Sequence, residues 1–95
     1  MRLFLSLKDT RDDMVREKLI LGHMRLVSYF SWYFSEMFPL SVEEIEQYGY
    51  EGLIKAVDRF DITKNIDFYL FAKKMIKTSI YYNVYEKEDI LSNYF

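Results

Sequence analysis

The sequence predicts an all-α domain, a compact bundle of about four helices, and three observations carry that expectation. Of 95 residues only three are Gly and one is Pro, too few for the tight turns of a sandwich or barrel. Hydrophobic residues make up 51% and aromatic residues 19%, ample for one core, and they recur at helical spacing. Ser41-Val42-Glu43-Glu44 is a capping box, the start signal of a helix. A chain this short supports a single core, so residues 1–95 are expected to form one domain.

The first helix is expected from about Thr10 to Leu21, with Asp12 and Asp13 where negative charge suits the macrodipole, and Gly22-His23 marks a bend. The second runs from about Met24 to Met37 and stops before Pro39, because the residue ahead of a proline resists the α region. Its Leu26, Val27, Phe30, Tyr33, Phe34, Met37 and Phe38 leave little polar face, so it is either central or partly covered by a partner. Together with Leu19, the residues Val27, Phe30 and Phe34 are expected in the core. The third starts at the capping box, with Glu44 reaching back to Ser41, and continues to about Phe60. Ile45, Leu53, Ala56, Val57 and Phe60 supply its core contacts. Gly49 and Gly52 share one face of it, and a pair of interior glycines, each costing about 1 kcal/mol relative to Ala, implies close helix packing. A turn over Asp61 to Asn65 follows, with Asn65 suited to a left-handed conformation.

The fourth helix is expected from about Asp67 to Tyr85. Phe68, Ala72, Met75, Ile76 and Ser79 share one face, and Lys73, Lys74, Lys77 and Tyr81 fall on the other. Phe71, Thr78 and Tyr82 lie at a boundary. Lysines hold phosphates and aromatic rings accept unstacked bases, which is the chemistry of single-strand binding, although the same pattern also describes an ordinary solvated face.

Composition excludes much. There is no Cys and one His, so disulfides, thiolate zinc sites, a catalytic cysteine and a histidine-rich metal site are ruled out. Glu43, Glu44 and Glu46 are better explained by capping and dipole compensation than by catalysis or a metal. No glycine-rich phosphate loop is present, and Ser28, Ser31, Ser35 and Ser41 have no evident base. The expectation is a binding protein with no cofactor and no catalytic residue. The least polar stretch, Leu26 to Val42, holds Glu36 and Pro39 and is too short and polar to span a bilayer; with no apolar h-region at the start, the expected compartment is the cytoplasm. Net charge is −2, but residues 26–54 carry five Glu and no Lys or Arg, whereas residues 55–85 carry six basic and three acidic groups. That permits two partners on two faces.

The order of segments resembles region 2 of the bacterial sigma factors of the sigma-seventy family. Val15-Arg16-Glu17-Lys18-Leu19-Ile20-Leu21-Gly22-His23-Met24-Arg25-Leu26-Val27 is similar to its Ala-Arg-Glu-Arg-Leu-Ile-Glu-Ala-Asn-Leu-Arg-Leu-Val segment. The block from Glu44 to Asp61, with its Gly49-x-x-Gly52-Leu53-x-Lys55-Ala56-Val57-x-x-Phe60-Asp61 pattern, is the specific part, and Phe68-Tyr69-Leu70-Phe71-Ala72 follows at family spacing.

That resemblance implies docking on the clamp helices of the largest subunit of core RNA polymerase through Glu44, Ile45, Gln47, Tyr48, Tyr50 and Leu53. It implies recognition of the minus-ten promoter element as single-stranded DNA by Phe68, Phe71, Lys73, Lys74, Lys77, Thr78 and Tyr81, with Phe71 stacking on a flipped adenine. The family's Trp-Trp pair is replaced by Lys74-Met75, and Tyr48, Tyr50 and Glu46 depart from its clamp-contact pattern. Two readings stand for the absent later regions: an excised domain, or a short protein working with a separate polypeptide that binds the minus-thirty-five element. An anti-sigma factor is a further expected partner. The competing functions are a polymerase-binding regulator that does not read DNA, and a helical interaction module that pairs as a homodimer through the second helix.

Overall fold

In the computed structural model, residues 13–61, 63–64 and 67–87 are described. Residues 13–22 form α1, followed by α2 (Met24–Ser35), α3 (Val42–Arg59) and α4 (Phe68–Tyr82), which ends in a π turn over Asn83–Lys87. No strand occurs among the described residues, so the all-α expectation holds. The bundle is built unequally, however. Three complete helices, α2 to α4, carry the core, and α1 adds only the half-buried Leu19 and Ile20 at its edge. Leu19 was expected inside; it lies at the rim because α1 leads into α2 through a single turn residue, His23. Thr10, Asp12 and Asn65 lie outside the described residues.

Each helix has a local reason for where it starts or stops. Ser41 Oγ accepts the Glu44 amide at 3.2 Å and caps α3, but the Glu44 carboxylate makes no return bond, so half of the capping box forms. Asp67 caps α4, its carboxylate accepting the Tyr69 amide at 2.8 Å. α2 has no side-chain cap at its start. It ends two residues before the expected Met37, as the Met37 and Phe38 amides both close onto the Phe34 carbonyl at 3.0 and 2.9 Å ahead of Pro39.

The core is a single cluster: Val27, Phe30, Phe34 and Phe38 against Ile45, Leu53, Ala56 and Val57 and against Ala72, Ile76, Ile80 and Val84. α3 is the central element, packed on both α2 and α4, because its two glycines remove the side chains that would hold neighbours away. A Cβ placed on Gly52 would lie 2.6 Å from the Met75 carbonyl oxygen and 2.9 Å from the Ile76 Cα, both backbone atoms of α4. The paired glycines therefore mark close packing, as their spacing predicts. Ser79 ties the same seam, its hydroxyl donating to the Tyr48 carbonyl at 2.8 Å. Asn83 is buried beyond it and donates to the Ser79 carbonyl at 2.7 Å.

Candidate functional site

Two helix faces carry the residues singled out by the sequence. On α3 the buried stripe is Ile45, Gly49, Gly52, Leu53, Ala56 and Val57. Ile45 and Leu53 were expected to meet a partner; both are fully buried, because their spacing points them at the seams with α2 and α4. They hold the face from behind and touch nothing outside. Glu44 and Gln47 are exposed, and Tyr48 and Tyr50 are half-buried. At 100° per residue, Tyr48 and Tyr50 stand about 200° apart, so they flank the buried stripe on opposite sides. Tyr48 joins Glu44, Gln47 and Glu51 on the α4 side. Tyr50 lies instead along a shallow groove against α1, beside Arg16 and Ile20.

Charge pairing shapes this helix. Lys55 reaches Glu51 at 3.8 Å, and Arg16 on α1 donates to Asp58 at 2.8 Å. The Arg16 hydrogen bond holds the Asp58 carboxyl below its usual range and the guanidinium above its own. Arg16 is thus a clip between α1 and α3, which the sequence did not show because its partner is 42 residues away. At the end of α3, Asp61 accepts from the Thr63 hydroxyl at 2.6 Å and amide at 2.9 Å, which lowers its carboxyl as well. Glu43, Glu44 and Glu46 remain exposed on the first turns, so that end of α3 is the acidic one.

On α4 the structure divides the expected residues between two flanks. Lys74 and Thr78 are exposed along the outward line, with half-buried Phe71 beside them. Phe71 rests against Phe60 of the α3 end, ring centroids 6.3 Å apart. Phe68 lies deeper, edge-on to both Phe60 (4.9 Å) and His23 (4.8 Å). Lys73, Lys77 and Tyr81 turn the other way, toward α2. The Lys77 ammonium sits 5.7 Å over the Phe30 ring, and Tyr81 packs edge-on to Phe34 at 5.0 Å and Phe38 at 6.2 Å. The expected grouping of Phe71 with all three lysines is therefore not one surface. Phe71, Lys74 and Thr78 form one strip; Lys73 belongs to another.

That other surface is an open cleft of about 470 Å³ between the start of α2 and α4, edged by His23, Arg25, Tyr29, Tyr69 and Lys73 and floored by Phe30. His23 is fixed there. A carbonyl can only accept, so the contact of 2.7 Å to Leu19 O is an Nδ1–H bond, leaving Nε2 as the acceptor of the neutral ring. Two cations and several rings around a concave surface suit an anionic ligand with planar groups. Sequence reading missed the cleft because Arg25 and Tyr29 lie far along the chain from Tyr69 and Lys73; the only signal was a basic residue beside aromatics on each helix. Among the described residues no group of acidic residues or His could hold a metal ion, and no helix is long and apolar enough to cross a membrane.

Fold and site together define a class: a small all-α domain whose central helix is acidic at its start and whose last helix bears cations and rings. Comparison with known proteins narrows it. No family model matches the chain. Over 75 residues it is 39% identical to the RNA polymerase sigma-G factor of Bacillus subtilis, a stretch covering 79% of this chain and 28% of that protein. It is 38% identical over 69 residues to the RNA polymerase sigma-E factor of Clostridium acetobutylicum, covering 73% of this chain and 29% of the relative. The same organism's RNA polymerase sigma-G factor is 38% identical over 61 residues, or 64% and 23% of the two chains. The chain is a homologue of the RNA polymerase sigma factors, and it spans less than a third of the length of these relatives.

Proposed function

We propose that this chain acts in transcription initiation as a sigma region 2 domain or short co-sigma factor. It docks on the clamp helices of core RNA polymerase through α3 and meets single-stranded minus-ten DNA through α4. The observation that carries the reading is the homologous stretch of 75 residues, which, wherever it lies within the 95, takes in residues 21–75 and so the acidic α3 face together with Phe71 and Lys74 of the α4 strip. On α3 the contact strip is Glu44, Gln47, Tyr48 and Glu51, an acidic and aromatic surface suited to a basic helical partner. On α4, Phe71 offers a ring to an unstacked base, Lys74 a charge to phosphate and Thr78 a hydroxyl to a base edge, while Arg25 and Lys73 extend the cationic path into the cleft. Lys74-Met75 supplies no tryptophan wedge, so the complex works best on pre-opened DNA or with a second polypeptide that binds the minus-thirty-five element. The cytoplasm is the matching compartment, and an anti-sigma factor would compete for the α3 strip.

Capture of core polymerase tests this reading. The protein retains core polymerase at low salt, and Tyr48→Ala weakens capture at least about tenfold, as truncation of an interface aromatic commonly does. Gln47→Arg, at an exposed position, weakens it without touching the core. No capture by the wild-type chain rejects the proposal. One observation favours the regulator alternative: Lys77 and Tyr81 are engaged by rings of α2, which leaves fewer groups of α4 free for DNA. Polymerase binding with no contact from α4 to a pre-melted promoter bubble would select that reading.

A further inference from the structure

α2 turns only one face to the core, the stripe of Val27, Phe30, Ser31 and Phe34. The opposite face carries Tyr29 and Trp32, each 64% exposed, and Tyr33 beside them at 53%. At 100° per residue the pole of that face is Arg25, Tyr29, Trp32 and Glu36, spaced by four, three and four residues. Glu36 continues the helical path, with φ −77° and ψ −21°. This spacing is the seam of a helix that packs along a second helix. We propose that the seam is a homodimer interface, α2 lying antiparallel on α2 of a second copy about a twofold axis.

Two features select a second copy over an unrelated partner. The first is charge register. A twofold axis midway between Tyr29 and Trp32 brings Arg25 opposite Glu36 of the second copy, Tyr29 opposite its Trp32 and Ser28 opposite its Tyr33, so the face complements itself at every position. The second is the helix dipole. Arg25 stands in the first turn of α2 and Glu36 at its end, each on the wrong side of its own macrodipole. An antiparallel copy reverses this, setting Arg25 beside the carboxyl end of the second helix and Glu36 beside its amino end. Neither residue forms an ion pair with any other described residue. Six rings that each offer roughly 100–150 Å² bring the contact to about 1,000 Å² in total, the size of a weak but specific interface. The seam faces away from α3 and leaves the polymerase strip free, whereas Arg25 and Tyr29 also edge the cleft beside α4, so a second copy and a DNA strand would compete for those two residues.

Sedimentation equilibrium of the full chain tests it, with emission of Trp32, the sole tryptophan, as an independent reporter of burial. The expected result is a monomer–dimer equilibrium in the micromolar range, with Trp32 emission shifting to the blue as dimer forms. Arg25→Glu and Glu36→Arg each weaken the dimer about tenfold, because each turns both charge pairs into like pairs. An equimolar mixture of the two variants regains wild-type affinity, since the heterodimer pairs opposite charges at both ends. Trp32→Ala weakens the dimer at least about tenfold with helicity unchanged. A chain that stays monomeric up to about 1 mM overturns the proposal, as does a dimer indifferent to these changes or a mixture that fails to recover. Shielding of Trp32 only when another protein is added also overturns it, by assigning the face to that partner.

Discussion

Gly52→Ala separates packing from helix propensity at the seam that positions both candidate surfaces. Propensity alone favours Ala inside a helix by about 1 kcal/mol. The added methyl, however, would lie 2.6 Å from the Met75 carbonyl oxygen, 2.7 Å from Ser79 Cβ and 2.9 Å from Ile76 Cα. Two of these atoms are backbone and cannot rotate away, so α3 and α4 must part. Overpacking of this kind costs about 1–3 kcal/mol, and stretching the Ser79 to Tyr48 bond of 2.8 Å forfeits about 1 kcal/mol more. The expected net loss, after the gain in propensity, is about 1–3 kcal/mol, a sizeable share of the stability of a small domain. Gly49→Ala provides the internal comparison. Its methyl would meet the tip of Val27 at 3.1 Å and the side chains of Ile80 and Ile76 at 3.4 and 3.5 Å, so a small side-chain shift accommodates it and stability stays within about 1 kcal/mol of wild type. Urea unfolding followed by circular dichroism at 222 nm ( linear extrapolation, about 25 °C) reads all three proteins. A Gly52→Ala protein as stable as wild type would refute the close approach of α3 and α4.

Gly22→Ala should go the other way and stabilise by about 0.5–1 kcal/mol, since nothing lies within 4 Å of the added carbon; thermal unfolding checks it. Phe30→Ala should cost about 3–5 kcal/mol, because the ring is buried and also carries Lys77 on its face; urea titration reads the loss. Asp58→Asn should destabilise the protein at neutral pH and not in strong acid. The Asp58 carboxyl is held below its usual range by Arg16, so its contribution is present above about pH 4 and vanishes as pH falls through the lowered folded value, and stability curves of the two proteins should converge there. Phe71→Ala should abolish preference of the polymerase complex for one base of single-stranded DNA, while Lys74→Ala should weaken all sequences alike and flatten the salt dependence; fluorescence anisotropy distinguishes the two.

The parts legible in the sequence were those that depend on neighbours along the chain. The Ser41 cap, the stop before Pro39 and the inward stripe of Ala72, Ile76 and Ser79 are local matters of dihedral preference and helical period, and the structure keeps them. The glycine pair was readable because two costly residues on one face need a packing reason, and Met75 and Ile76 supply it. What failed depended on which flank of a helix meets which neighbour. Ile45 and Leu53 sit within a block that resembles a binding segment, yet as apolar residues in the buried stripe they serve the core. Phe71 and Lys77 both lie off the buried face of α4, but one turns to Phe60 and the other to Phe30, a division set by the placement of α3 and α2. The Arg16 clip and the cleft beside His23 join residues distant in sequence, and one chain carries no local mark of such pairs.

The central claim is that α3 faces polymerase while α4 faces the opened strand, and crosslinking from two positions of one complex tests it most directly. A photoreactive residue placed at Gln47 and, in a separate protein, at Lys74 uses two exposed sites on different helices. Each protein is bound to core RNA polymerase on a pre-melted promoter bubble and irradiated. The account predicts that the Gln47 probe attaches to the largest subunit and the Lys74 probe to the non-template strand. Attachment of the Lys74 probe to protein alone, or failure of the Gln47 probe to reach polymerase in a complex that forms, would contradict it.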